Sequence, residues 1–145
     1  MSAKWIVAAI WLVVFGPSLA AAGEIDPLGA GARQAIRSII QSQLNASQRD
    51  DGHEAFSYAA PGIRQRFQTP EVFMAMVRSG YAAVYRPRAV EFLETVLKDG
   101  RTVQMMRFVG PDGVAIIAMY GMERQPDGTW RISGVVLLRT EETVS

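Results

Sequence analysis

The segment between Pro61 and Val90 holds the largest group of side chains that could bind a charged ligand. Five arginines share this segment with a single acid, Glu71, and two tyrosines lie among them. Guanidinium groups bind carboxylates and phosphates through paired hydrogen bonds and stack on aromatic rings. The pattern fits a site for an anionic ligand or an acidic partner, but it fits solvated arginines that acids elsewhere neutralise better. The residues are Arg64, Arg66, Arg78, Tyr81, Tyr85, Arg86 and Arg88.

A second group of candidate residues lies toward the carboxyl end of the chain. Tyr120 and Trp130 flank a short hairpin and could line a sheet face that binds an apolar ligand, with Glu123 as a nearby base. Tyr120 and Glu123 differ in strand parity, however, so a regular strand points them to opposite faces. A cross-strand aromatic pair with Glu123 in solvent fits this spacing better.

The composition excludes several kinds of site. The chain has no cysteine, which excludes disulfides, thiolate metal sites and a cysteine nucleophile. His53 is the one histidine, so a multi-histidine metal site is excluded, and we expect its ring to be solvated in the first turn of a helix. The methionines fit core positions better than a copper site. We find no nucleophile and base at interpretable spacing and no phosphate loop, so we assign no catalytic residue, no metal and no cofactor.

Residues 1–22 have the three parts of a secretory signal peptide. Lys4 is followed by the apolar run Trp5–Phe15 and then by the small-residue run Ala20–Ala22. The apolar run is shorter than the ~20 residues that span a bilayer, which disfavours an uncleaved anchor. We expect cleavage after Ala22, with cleavage after Ala20 as the alternative. We also expect a periplasmic or secreted protein, no membrane span in the mature chain, and one domain over residues 23–145. Cleavage removes Lys4 and leaves equal numbers of basic and acidic residues, which disfavours nucleic acid as a partner.

Helical patterns dominate the mature chain up to about residue 80. Apolar residues repeat at helical spacing over residues 32–44. Asp51 followed by Glu54 fits a capping box, which predicts a second helix from about residue 52. Thr69 before a proline is typical of another helix start, and Gly80 predicts the end of that helix.

After Pro87 the apolar residues alternate with a period of two. Helices followed by such strands predict an α+β domain, with helices packed on one face of a curved four-stranded antiparallel meander. Gln104 and Arg107 differ in parity within one strand and should lie on opposite faces. Three turn sequences divide the four strand-like runs: Asp99-Gly100, Pro111-Asp112-Gly113 and Pro126-Asp127-Gly128.

Two long stretches of the mature chain carry a family resemblance. They are AFSYAAPGIRQRFQTPEVFMAMVRSGYAAVYRPRAVEF from Ala55 to Phe92 and YGMERQPDGTWRISG from Tyr120 to Gly134. Both resemble the bacterial family catalogued as domain of unknown function 4864, which has no established activity and so implies no catalytic residues. The order of helices and meander is also similar to the nuclear transport factor 2-like and cystatin-like superfamily. That superfamily includes ketosteroid isomerases, polyketide cyclases and many non-catalytic binding domains.

Two function classes follow from these observations. The residues favour a non-catalytic module that binds a small ligand or an envelope protein through a cleft between helices and sheet. The alternative is an acid/base enzyme similar to ketosteroid isomerases or polyketide cyclases, for which a carboxyl group of raised pKa beside a tyrosine would be evidence. The candidate ligand-binding residues are Tyr81, Tyr85, Arg86, Arg88, Tyr120 and Trp130.

We expect the mature protein to begin at Gly23, because the small residues before it occupy the positions at which signal peptides are cleaved. Intact-mass spectrometry of protein recovered from outside the cytoplasm checks this start. Ala22→Phe, which puts a bulky side chain beside the scissile bond, should abolish or move the cleavage. A membrane-bound product that retains residues 1–22 would contradict the prediction.

Overall fold

The computed structural model describes residues 28–143, and the predicted signal peptide at residues 1–22 lies outside them. The unit that contains the sheet begins at Gln34, within the first helix. No helix in the described part of the chain is long and apolar enough to cross a membrane. The described helices are α1 (Ala30–Gln48), α2 (Gly52–Ser57), α3 (Pro61–Phe67), α4 (Pro70–Gly80) and α5 (Ala82–Tyr85). The strands are β1 (Ala89–Lys98), β2 (Arg101–Val109), β3 (Val114–Arg124) and β4 (Trp130–Thr143).

The four strands form one antiparallel sheet in the order β1-β2-β3-β4, which confirms the predicted α+β architecture and meander. All three hairpins lie at the predicted turn sequences. Asp99 and Gly100 both have a positive φ, at 53° and 77°, as a two-residue turn between twisted strands requires. In the two longer turns the Asp112 and Asp127 carboxylates each accept a hydrogen bond from the backbone N–H two residues later.

Local hydrogen bonds explain where α2 and α4 begin. The Asp51 carboxylate accepts from the N–H of Glu54 at 3.1 Å, and the Thr69 hydroxyl accepts from the N–H of Val72 at 3.1 Å. Both predicted N-caps are therefore confirmed. The two oxygens of the Glu54 carboxylate accept hydrogen bonds from Arg49 and from the Tyr58 hydroxyl, each at 2.8 Å, and no reciprocal capping-box bond to Asp51 is seen among the described residues.

The helices cover one face of the sheet, called here the inner face. The Arg37 guanidinium of α1 lies 5.2 Å from the centre of the Phe92 ring, which places α1 over the inner side of β1. Five inner-face side chains of β2 and β3 have no exposed surface: Gln104, Met106, Phe108, Ala118 and Tyr120. The alternate residues form the outer face and stay partly or fully exposed; they include Val103, Met105, Ile117, Met119, Val136 and Leu138.

A second apolar cluster holds the short helices together. The ring of Phe73 in α4 lies 5.2 Å from that of Phe56 in α2 and 6.1 Å from that of Phe67 in α3, measured between centroids. The segment between α2 and α3 also pairs with the edge of β4, where the Ala60 N–H donates to the Ile132 carbonyl at 2.8 Å. The short helices are thereby tied to the last strand of the sheet.

The buried side chain of Gln104 stabilises a β-bulge in β1. The register of β1 against β2 shifts just before Thr95. There the Gln104 amide donates to the Leu93 carbonyl at 2.9 Å, and its oxygen accepts from the Thr95 hydroxyl at 2.6 Å. Gln104 thus supplies at the bulge the bonds that a regular ladder would supply. Arg107 lies on the outer face, which confirms that it and Gln104 point in opposite directions.

Gln104→Leu should lower the free energy of unfolding by about 1 to 3 kcal/mol, because the Leu93 carbonyl and the Thr95 hydroxyl lose their partner. Denaturant melts measure this change. Gln65→Leu, at an exposed glutamine of α3, is the matched control and should change stability by less than about 0.5 kcal/mol. Equal effects of the two substitutions would contradict the role assigned to Gln104.

Candidate functional site

Part of the arginine- and tyrosine-rich segment meets a carboxylate from a distant part of the chain. Arg86 donates to one oxygen of Asp50 at 2.9 Å, and the Tyr85 hydroxyl donates to the other. Arg78, near the end of α4, lies 3.6 Å from the same carboxylate. These four residues, Asp50, Arg78, Tyr85 and Arg86, are called here the Asp50 cluster.

The backbone around Asp50 and α5 positions this cluster. Asp50 follows α1 in a left-handed conformation, with a φ of 57°. The short helix α5 ends at Tyr85, and the Tyr85 ring supports the Arg86 guanidinium at 4.8 Å from its centroid. The hydrogen bond from Tyr85, helped by the charges of Arg86 and Arg78, lowers the pKa of the Asp50 carboxyl. Asp50 therefore stays ionised and offsets part of the local positive charge.

The remaining arginines of the segment have other surroundings. The Arg64 guanidinium lies over the Phe56 ring at 5.1 Å, and that of Arg66 lies over the Phe67 ring at 5.8 Å. Arg88 is exposed just before β1. Of the five arginines in the segment, the structure brings only Arg78 and Arg86 together on one carboxylate.

The candidate aromatic residues are buried to different degrees. Tyr120 has no exposed surface, and burial raises the pKa of its phenol, so the group stays neutral. Its hydroxyl has no hydrogen-bond partner among the described residues. Tyr81 is half-buried and donates to the Val135 carbonyl at 3.1 Å. Because core side chains fill the inner face around Tyr120, this residue does not line the cleft between helices and sheet that the sequence suggested.

An open cleft of about 700 Å³ lies at the end of the sheet that carries the β1–β2 and β3–β4 turns. Gly121 of β3 pairs with Gly134 of β4 in its floor. Val103, Met119 and Val136 line the cleft beside these glycines. A Cβ atom placed on Gly134 would meet nothing within 4 Å, so the space above this position is open. The cleft therefore offers an apolar floor on the outer face of the sheet.

The rim of the cleft carries two arginines and one acid, Arg101, Arg124 and Glu123. The Arg124 guanidinium lies 5.8 Å from the centroid of the Trp130 ring, which holds it near the mouth of the cleft. Arg101 is exposed and has no ion-pair partner among the described residues. Guanidinium groups at this rim can bind an anionic group while the floor contacts an apolar body. Of the predicted ligand-binding residues, Trp130 is the one that lines the cleft, although it is 8% exposed.

The sequence reasoning did not find this cleft, although one signal for it was present. A glycine inside a strand often marks a bulge or a place where a ligand or another backbone comes close. Gly121 and Gly134 both lie within strand-like runs. Their pairing depends on the register of β3 with β4, which shifts between Gly121 and Met122. A pattern of single residues does not reveal that register.

The expected cross-strand pair of Tyr120 with Trp130 is wrong, because Tyr120 pairs with Val135 and Trp130 pairs with Arg124. Other residues considered from the sequence lie where expected. His53 is exposed in the first turn of α2. Glu123 is exposed while Tyr120 is buried, which confirms that they do not share a pocket. Among the side chains that the structure describes, at residues 28–139, no three His, Asp or Glu groups lie close enough together to hold a metal ion.

The Asp50 cluster and the cleft lie within one family domain. A family model described as Domain of unknown function (DUF4864) matches residues 30–144. The chain belongs to this family. The match includes the Asp50 cluster and the cleft, so both are features of the family domain as this chain carries it. Neither the search of curated proteins nor that of solved structures found a match. The similarity to the nuclear transport factor 2-like and cystatin-like superfamily stays a prediction.

Tyr120→Phe should not lower the free energy of unfolding at neutral pH, because the buried hydroxyl has no hydrogen bond to lose. It should raise that free energy by at most about 3 kcal/mol, the cost of burying an unpaired hydroxyl. The folded state raises the pKa of this phenol, so wild-type stability should be intact below pH ~10 and fall above it. The substitution should remove part of that alkaline loss.

Tyr81→Phe is the matched control for this experiment, since it deletes the hydrogen bond to Val135 and should cost about 1 kcal/mol. Denaturant melts at neutral and alkaline pH measure both variants. A larger loss for Tyr120→Phe than for Tyr81→Phe at neutral pH would show that the Tyr120 hydroxyl has a stabilising partner.

Proposed function

We propose that the protein is an exported, non-catalytic module that binds a small amphipathic anion in the cleft at the end of the sheet. One observation carries the proposal: an apolar floor and two arginines line the same open cleft. The floor contains Val103, Met119 and Val136, and the rim contains Arg101 and Arg124. The export of the protein is inferred from the signal-peptide pattern of residues 1–22.

The size and exposure of the cleft suit a small molecule. Ligand sites usually measure about 300 to 1,000 Å³, and this cleft measures about 700 Å³. Val136 is 51% exposed, and its neighbour on the same face, Leu138, is 36% exposed. A ligand can cover this apolar surface without disturbing the core, at a gain of ~25 cal/mol for each Å² removed from water.

The charges of the rim limit the kind of anion. The rim contains two positive charges, on Arg101 and Arg124, and one negative charge, on Glu123, so its net charge is +1. A ligand with a single anionic group matches this charge, whereas a polyanion would meet repulsion from Glu123. We therefore infer an apolar body with one carboxylate, sulfonate or phosphate-type group.

Two carboxyl groups that lie outside the cleft, Asp50 and Asp127, are poor candidates for a general base. Asp50 and Asp127 have lowered pKa values, caused first by hydrogen bonds from Tyr85 and from Thr129 respectively. A carboxylate that acts as a general base near neutrality needs a raised pKa instead. Tyr120 is enclosed in the core, with a raised pKa that keeps it protonated.

Gly134→Val tests the cleft without disturbing the fold. The added side chain enters open space, and valine suits a strand better than glycine, so stability should be unchanged or higher by up to about 1 kcal/mol. The probe is anilinonaphthalene sulfonate, an apolar ring system with one sulfonate, followed by its fluorescence. We expect saturable binding to the wild type and binding at least about tenfold weaker to Gly134→Val, because the branched side chain fills the floor.

Further variants separate the floor from the rim. Arg101→Ala and Arg124→Ala should each weaken probe binding and reduce its dependence on salt. Val72→Ala, at an exposed apolar residue of α4 outside the cleft, should bind the probe like the wild type. Equal affinity of the wild type and the folded Gly134→Val variant would reject the cleft as the binding site.

A further inference from the structure

The Asp50 cluster has the form of a carboxylate-binding site that the protein itself occupies. Donors from α4, α5 and the residue after α5 converge on one carboxylate, with Arg78 Nη1 at 3.6 Å and Arg86 Nη2 at 2.9 Å. The Tyr85 hydroxyl completes the set. Because Arg86 and Tyr85 bond to different oxygens, the arrangement recognises a carboxylate as a group, unlike a single surface ion pair.

Two of the three donors, Tyr85 and Arg86, are held in place by contacts that do not involve Asp50. Tyr85 packs against the apolar cluster that contains Phe56 and Phe73. The Arg86 guanidinium stacks on the Tyr85 ring and also donates to its hydroxyl oxygen at 3.3 Å. Arg78 lies on α4, which is anchored by its buried residues. Since Tyr85 and Arg86 are ordered by these contacts, a ligand that binds them loses little free energy in arranging the two groups.

The Asp50 side chain is held by these donors, whereas its backbone is fixed independently, with the Asp50 N–H donating to the Ser47 carbonyl at 3.0 Å. Its φ of 57° lies in the left-handed region, which residues with a side chain rarely adopt. Its side chain is 48% exposed, and those of Arg78 and Arg86 are 47% and 50% exposed. An anion in solution can therefore reach both guanidinium groups if the Asp50 side chain moves aside.

We propose that Arg78, Tyr85 and Arg86 form a carboxylate-binding site, that Asp50 occupies this site in the free protein, and that a carboxylate of a ligand or partner displaces Asp50 to bind there. The site is separate from the cleft, since none of its residues lines the cleft. The competing Asp50 lowers the apparent affinity for any external carboxylate in proportion to the time it holds the site. Asp50 thereby sets a threshold that excludes weak carboxylate ligands.

Asp50→Gly removes the competing carboxylate and places glycine at a left-handed position that glycine favours, so the variant should fold. The probe is acetate, which replaces chloride at constant ionic strength while the NMR signals of the Tyr85 ring and the Arg86 side chain are followed. We expect a saturable response in Asp50→Gly at acetate concentrations at least about tenfold below those that affect the wild type. A response to inorganic phosphate and none to acetate would overturn the assignment to carboxylates.

Two further variants distinguish a specific site from a general effect of charge. Glu71→Gln removes one negative charge from an exposed position of α4 outside the cluster and should respond to acetate like the wild type. The double variant Asp50→Gly with Arg86→Gln lacks the closest donor and should lose the saturable response. The proposal is overturned if folded Asp50→Gly shows no saturable response, or if the double variant responds equally.

Discussion

The alternation of side chains along β2 and β3 is the constraint on which the core and the cleft both depend. Gln104 pairs with Tyr120, and the adjacent residues Met105 and Met119 pair with each other. The first pair is enclosed under the helices, and the second lies on the outer face. Because successive residues of a strand point to opposite faces, a shift of the register by one residue would exchange these roles. The pairing therefore decides which residues form the interior and which a ligand can contact.

The inner face contains two large polar side chains, and the structure accommodates them differently. Gln104 bonds to the backbone of the β1 bulge, so its burial leaves no polar group without a partner there. The Tyr120 hydroxyl has no hydrogen-bond partner among the described residues. Apolar packing of the ring offsets the cost of burying this hydroxyl, and the ring centroid lies 6.3 Å from that of Phe108. Because core side chains fill these positions, the cleft lies outside the core, at the end of the sheet.

Both candidate sites use an arginine supported by an aromatic ring. Arg86 lies over Tyr85, and Arg124 lies over Trp130. Contact with the ring face orients a guanidinium group and leaves most of its N–H donors available for an oxyanion. Asp50 takes up donors of Arg86, whereas the cleft rim has Arg101 beside Arg124 and no ion pair to Arg101 among the described residues. The two sites therefore differ in that a carboxylate of the chain bonds directly to Arg86, whereas the described residues form no ion pair with Arg101.

The sequence by itself determined the features that depend on residues close together in the chain. The Asp51 and Thr69 caps and the Asp99-Gly100 turn follow from side chains and backbone preferences within about four positions, and the alternation of apolar residues predicted the meander. Only the tertiary structure decided which arginines act together, because Asp50 lies 36 positions before Arg86 and nothing local relates them. It also decided that Gly121 meets Gly134 and that Tyr120 is enclosed, since both depend on strand register and on where the helices pack. Interactions between distant segments are set by the packing of the whole fold, and residue type and spacing do not specify them.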